Sequence, residues 1–235
     1  MRILVPSYGR DGTASTMDIM PSAMVVVPSS QAEQYERHYP NRVIAIPDDQ
    51  DGNIARKRNA LLNLLAPGEA CWMIDDDLKR VHRIKDGYVK DVEQVLETFT
   101  VLLEQLGAYY GGFSNSSDPV KYAEYAPFSL CKPSYGCVYI RRDPGISYDV
   151  GLGRHEDADI YLQYMNKHRR VMRDNRYYFE FECNKDIAKK TQRGGIEHSE
   201  KHYNPALDKL ISKWGDLIKI KNGKMNGVRQ PIRGI

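Results

Sequence analysis

The feature that most constrains this 235-residue chain is a recurrence: short apolar runs that end on polar clusters and are separated by helix-length segments. The runs cover residues 2–7, 23–27, 42–46 and 71–74. Runs of this length, bounded by turn residues, read as strands. Between them lie a polar helix capped by Ser29 or Ser30 and a second helix over residues 53–65, with Ile54, Leu61, Leu62 and Leu65 as its apolar positions. Strands joined in this way favour a mostly parallel sheet with helices on both faces. Ligands of such sheets collect at the carboxyl ends of the strands. Pro6-Ser7-Tyr8, Asp48-Asp49 and Asp75-Asp76-Asp77 all fall at such ends.

The second half is less regular. Residues 92–106 predict an amphipathic helix burying Val95, Leu96, Phe99, Leu102, Leu103 and Leu106. Residues 107–135, rich in Tyr, Gly, Ser and Pro, read as a long loop region with room for short strands. Strands are expected over 135–141, 170–172 and 177–181, and helices over 156–167 and 206–214. Neither a repeat nor a convincing linker interrupts the chain, so one domain over 1–235 is expected.

Composition excludes little. Hydrophobic residues make up 41% and charged residues 28%, ordinary for a soluble globular protein. Apolar runs of four or five residues are too short to span a membrane, and the first residues, Met1-Arg2-Ile3-Leu4-Val5-Pro6, read as a strand and not as a signal peptide. Cys71, Cys131, Cys137 and Cys183 lack Cys-x-x-Cys spacing and read as reduced thiols, which favours a cytoplasmic setting. The net charge of +3 is uninformative, but residues 217–235 carry Lys219, Lys221, Lys224, Arg229 and Arg233 without an acid. That segment reads either as a solvated basic tail or as a contact for a phosphate backbone.

Three consecutive carboxylates after a buried strand raise one another's pKa unless something neutralises them. Mg²⁺ or Mn²⁺, which take oxygen ligands, would do so. On a strand-like backbone Asp75 and Asp77 would point one way and Asp76 another. A calcium loop around Asp49-Gln50-Asp51-Gly52 fails, because Pro47 stands at the first ligand position and Arg58 at the required glutamate. Asp48 and Asp49 could instead receive a nucleotide's base or ribose. Arg56 and Arg58 oppose the helix dipole near an N-terminus, which suits a diphosphate nearby. Glu156 and Asp157 open a helix, where acids pair with the dipole or, at a site, provide a general base. His198 and His202 are four apart, with too few partners for a zinc site.

Pro6-Ser7-Tyr8-Gly9-Arg10, Gly52-Asn53-Ile54-Ala55-Arg56-Lys57-Arg58-Asn59, Met73-Ile74-Asp75-Asp76-Asp77 and His155-Glu156-Asp157 together resemble the GT-A glycosyltransferases over residues 1–165. More narrowly, the set looks like the TET-associated glycosyltransferases of bacteriophages, thought to glycosylate hydroxymethylated pyrimidines in DNA. The resemblance implies a Rossmann-like GT-A sheet and a nucleotide-diphosphate sugar, UDP-sugar favoured. It places the donor against Pro6, Ser7, Tyr8, Arg10, Asp48, Asp49, Arg56, Arg58, Asn59, Asp75 and Asp76. It also implies Mn²⁺ or Mg²⁺ on Asp75 and Asp77 with His198 or His202, and a catalytic base at Asp157 beside Glu156. Residues 1–106 would then be the nucleotide-binding half, 107–216 the acceptor side and 217–235 the basic tail. A phage-encoded protein would act in the host cytoplasm, with no membrane partner. Tyr109, Tyr110, Tyr122 and Tyr125 would suit stacking against a nucleic-acid acceptor. Inversion is expected with Asp157 as base, and retention is open without it. Other readings are transfer to a glycan or small molecule, a sugar nucleotidyltransferase, and a non-catalytic DNA-binding protein.

Overall fold

The computed structural model describes residues 1–114, 116, 118, 122–152, 154–182 and 200–229, with the backbone alone over 200–204. In chain order the elements are β1 (Ile3–Pro6), α1 (Ser15–Ile19), β2 (Met24–Pro28), α2 (Ala32–His38), β3 (Val43–Ile46), α3 (Ile54–Asn63), β4 (Ala70–Ile74), β5 (Leu78–Arg83) and β6 (Gly87–Tyr88). They continue with α4 (Val92–Leu106), β7 (Tyr110–Ser114), β8 (Phe128–Leu130), β9 (Cys137–Arg141), α5 (Glu156–His168), β10 (Val171–Phe181), α6 (Glu200–Trp214), β11 (Ile218–Lys221) and β12 (Lys224–Val228).

Among the described residues ten strands form one sheet, ordered β3-β2-β1-β4-β9-β7-β10-β5-β6, with β8 on β10. The first four strands are parallel, as their apolar runs predict. Beyond β4 the sheet is mixed: β9 runs antiparallel to both β4 and β7, β7 and β10 are parallel, and β5 is antiparallel to β10. Side chains alternate between two cores. Leu4, Cys71 and Met73 join Leu61, Leu62, Tyr161 and Met165 of α3 and α5 on one face. Ile3, Val5, Trp72 and Ile74 join Met17, Leu96, Phe99 and Leu103 of α1 and α4 on the other. Helices therefore cover both faces.

Local chemistry sets the helix ends. Asn53 caps α3 by accepting from Arg56 N at 2.8 Å, and Asp91 caps α4 by accepting from Gln94 N at 3.0 Å. Gly107, at φ 64°, ends α4 in the left-handed conformation that glycine adopts without penalty. Leu106 sits outside the core while Val92 takes a buried place on α4.

Three expectations need correction, and the short strands for which residues 107–135 left room include a central one. The runs at 170–172 and 177–181 are two parts of the single strand β10, whose pairing with β7 is irregular between Asp174 and Tyr178. The loop region holds β7 near the sheet centre; a Cβ on its Gly112 would lie 2.5 Å from Ser134 Cβ and 2.7 Å from Cys137 O, so close packing demands glycine there. Tyr110 is buried with its hydroxyl donating to Ser134 O at 2.7 Å, and Tyr109 stacks on His168 at 3.6 Å, so neither is open for a base. The described part of the basic segment is a β11–β12 hairpin, not a free tail. Ile218 is buried, and Leu217, Met225 and Val228 pack on the α3/α5 core while Lys219, Lys221, Lys224 and Arg229 face solvent.

Candidate active site

The carboxyl ends of β1 to β4 meet at one edge. Asp75-Asp76-Asp77 is a turn leading from β4 into β5, so strand alternation does not govern its side chains. Its backbone is held on several sides. Asp75 N donates to Gly136 O at 2.8 Å, Thr16 Oγ1 donates to Asp75 O at 2.6 Å, and Glu182 N donates to Asp77 O at 2.8 Å. The three carboxylates diverge. Asp76 accepts from Ser7 Oγ at 2.5 Å and from Arg10 Nη1 at 2.7 Å. Asp75 accepts from Arg58 Nη2 at 2.6 Å. Asp77, 23% exposed, has Arg10 Nη1 at 3.6 Å. Burial, then the charges of Asp75 and Asp76, push the Asp77 carboxyl up to about 7.

Asp76 thus braces the loop after β1. Ser7 Oγ also shares a hydrogen bond with Tyr35 Oη at 2.8 Å, and Arg10 N donates to the same phenol at 2.8 Å. Burial foremost pushes that phenol up to about 12. Pro6 closes β1 and is itself buried.

Helix α3 departs from expectation. Lys57 and Arg58 are buried, while Arg56 is exposed and reaches only Asp49 O and Asp51 O, each at 3.4 Å. Lys57 Nζ donates to Ser7 O at 2.6 Å and lies 3.0 Å from Asp51 Oδ2. Arg58 spans from Asp75 to Glu156, with Nη1 donating to Glu156 Oε1 at 3.0 Å. Its guanidinium lies 5.7 Å from the Tyr148 ring centroid. It is committed to carboxylates of the protein and not turned toward a diphosphate. Asn59 is committed too: its amide donates to Tyr148 O and accepts from Tyr148 N, both at 2.8 Å. Asn53 Nδ2 donates to Val150 O at 3.2 Å, so α3 clamps the loop that feeds α5.

At the start of α5, Glu156 Oε2 is buried without a hydrogen-bond partner. Burial, followed by the Asp157 charge, pushes the Glu156 carboxyl up to about 7. Asp157 Oδ1 accepts from Ala158 N at 2.8 Å. Burial raises its pKa, and the Arg58 charge opposes that rise. A cavity of ≈ 250 Å³ lies beside this edge, lined by Tyr8, Pro28, Ser30, Asp48, Asp51 and Gly52. Asp48 Oδ1 accepts from both Ser30 N and Ser30 Oγ at 3.0 Å, whereas Asp49 is exposed and outside the lining.

The fold therefore brings Ser7, Arg10, Arg58, Asp75, Asp76, Asp77, Glu156 and Asp157 to one region. His198 and the side chain of His202 lie outside the described residues. Among the described residues no group of three or more His, Cys, Asp or Glu is assembled as a metal cluster. Sequence reasoning missed Lys57, Asp51, Thr16 and Tyr35. Lys57 and Arg58 did leave a signal, since they fall on the i, i+3, i+4, i+7 stripe begun by Ile54 and Leu61.

A mixed α/β sheet with a carboxylate-rich edge and an adjoining polar cavity defines a broad class of ligand-binding α/β proteins. The chain belongs to the TET-associated glycosyltransferase family, whose model matches residues 1–195. It is 37% identical over 82 residues to the β-glucosyl-HMC-α-glucosyl-transferase of Enterobacteria phage T2, covering 33% of this chain and 29% of that protein. The same figures hold for the phage T6 protein of that name. The chain thus spans less than a third of the length of these curated relatives. The solved structure of S. aureus TarS 1-349 has a TM-score of 0.49 at 15% identity, over 94% of this chain and 76% of that one. No helix among the described residues is long and apolar enough to cross a membrane.

Proposed function

We propose that this glycosyltransferase moves a sugar from a nucleotide-diphosphate donor, a UDP-sugar favoured, to the hydroxyl of a 5-hydroxymethylpyrimidine in DNA, aided by Mn²⁺ or Mg²⁺. The observation that carries the reading is the buried guanidinium of Arg58, which ties Asp75 of the carboxylate turn to Glu156 beside Asp157. Charge stabilisation and proton removal thereby share one rigid frame. The HMC in the names of the two phage relatives supports the choice of acceptor.

The residues fit a hard divalent cation. Asp76 spends both oxygens on Ser7 and Arg10, which leaves Asp77 and the second oxygen of Asp75 to be offered. The crowding that pushes Asp77 up to about 7 is the kind a dication relieves. When bound, the cation would supply positive charge at the departing diphosphate. Tyr8 and Asp48 would receive base and ribose in the cavity they line. Arg10 and the exposed Arg56 would add charge around the phosphates. Asp157 would take the acceptor proton, with Arg58 favouring its charged, basic form. Attack from the face opposite the leaving group gives inversion.

Thermal unfolding with Mn²⁺, with UDP or GDP and with each pair tests the donor site. Saturation at one hundred times Kd corresponds to about 2.7 kcal/mol of stabilisation, expected only for metal and one diphosphate together. No shift with any pair would contradict the reading.

A further inference from the structure

A second cavity, of ≈ 310 Å³, opens beside β10 and is lined by Lys132, Arg173, Asn175, Ser114, Ser129 and Tyr122 among others. Resting on the acceptor reading above, we propose that this cavity holds a backbone phosphate of the DNA strand whose base is modified.

Its cations outnumber its acids, with Lys132 and Arg173 against Asp118 among the described lining residues. Arg173 is held by neutral acceptors, Nε donating to Asn175 Oδ1 at 2.9 Å and Nη1 to Pro133 O at 3.3 Å. Asn175 completes its amide with Ala126 O and Ser129 Oγ, at 3.1 and 2.6 Å, so it has no further donor to give. Ser129 Oγ, accepting that bond, keeps its own proton for a ligand. Among the described residues the charges acting on Arg173 are those of Tyr135 and Tyr161, and the charge acting on Lys132 is that of Arg173, with no carboxylate among them. Burial lowers the pKa of both cations, and the Arg173 charge lowers that of Lys132 further. Two cations and a hydroxyl line the hollow against one acid, Asp118, an excess of positive charge and donors that suits a singly charged phosphodiester.

The cavity and the proposed base have one neighbour in common, Tyr135. Tyr135 feels the charges of both Asp157 and Arg173, and its neighbour Gly136 accepts from Asp75 N at 2.8 Å. Tyr135 is thus within electrostatic reach of both the proposed base and a cation of the cavity, and the next residue bonds the carboxylate turn. Enzymes that work on a base take it from a single strand or turn it out of the stack, and phosphate contacts fix the register of the strand. Tyr125, 93% exposed between cavity-lining Ala123 and Ala126, is placed for stacking with a neighbouring base.

The test is fluorescence anisotropy of a labelled single-stranded oligonucleotide carrying 5-hydroxymethylcytosine, over a salt series, with wild type, Lys132→Ala and Arg173→Gln. Lys132 is exposed, so its variant keeps the test valid if Arg173→Gln fails to fold. Each variant should bind about tenfold more weakly at low salt and lower the salt slope by about 0.7, the value for one single-strand phosphate contact. The thermal shift with Mn²⁺ and nucleotide should stay at the wild-type size. Wild-type affinity and slope in Lys132→Ala would overturn the phosphate assignment while leaving the acceptor reading intact. Stabilisation by inorganic phosphate that Lys132→Ala removes, with DNA binding unchanged, would mark a small-anion site and also overturn it. A wild type that binds no oligonucleotide would remove both this inference and the acceptor reading.

Discussion

Asp77 is where protonation and the proposed function meet at the scale of a residue. Its folded carboxyl is pushed up to about 7 from an ordinary 3.8. Between those values the folded protein holds a proton that the unfolded chain has released. The stabilising contribution is therefore complete below about pH 4 and is lost as pH rises through about 7. In metal-free buffer, Asp77→Asn should flatten the fall in Tm between about pH 5 and pH 8 and should also abolish transfer. Parallel Tm profiles for wild type and variant would refute the electrostatic account. Arg58 makes a second test, because removing it strands the buried Glu156 carboxylate. Arg58→Met should cost about 3–5 kcal/mol in urea denaturation, whereas a loss near zero would mean the pairs contribute nothing. The carboxylate turn, Arg10 and the Glu156-Asp157 helix start were legible as residues, since charge at a strand or helix end is visible in sequence. What ties Arg58 and Asn59 to the region around α5 was not, because Glu156 at the start of α5 and Tyr148 in the loop before it lie 98 and 89 positions away.

Among the elements, α3 acts as a clamp. If Asn59 positions the 148–152 loop, Asn59→Ala should lower kcat by about tenfold and cost about 1–3 kcal/mol, with nucleotide affinity unchanged. A weakened nucleotide Kd with unchanged stability would make Asn59 a ligand. Strands β1, β2 and β4 were readable because parallel strands buried on both faces are nearly continuous apolar runs, and the edge strand β3 because it is apolar although half-buried. Strand β5 was not, since Leu78-Lys79-Arg80-Val81-His82-Arg83 buries only Leu78 and Val81 and pairs Arg80 and His82 with Glu180 of β10. Gly111 and Gly112 disguised β7 as loop, and Ile218 and Val228 hid a docked hairpin within a run of lysines.

Across the whole molecule, one cavity is lined by residues that follow the parallel strands and another by residues of the mixed half, while the Asp75–Arg58–Glu156 chain joins the turn after β4 to α3 and α5. The most direct test is mass spectrometry of an oligonucleotide carrying 5-hydroxymethylcytosine, incubated with Mn²⁺ and a panel of UDP- and GDP-sugars. The account predicts one added sugar per modified base, with one donor, lost without metal and lost in Asp77→Ala. An unmodified oligonucleotide with every donor, or full transfer by Asp77→Ala, would contradict it.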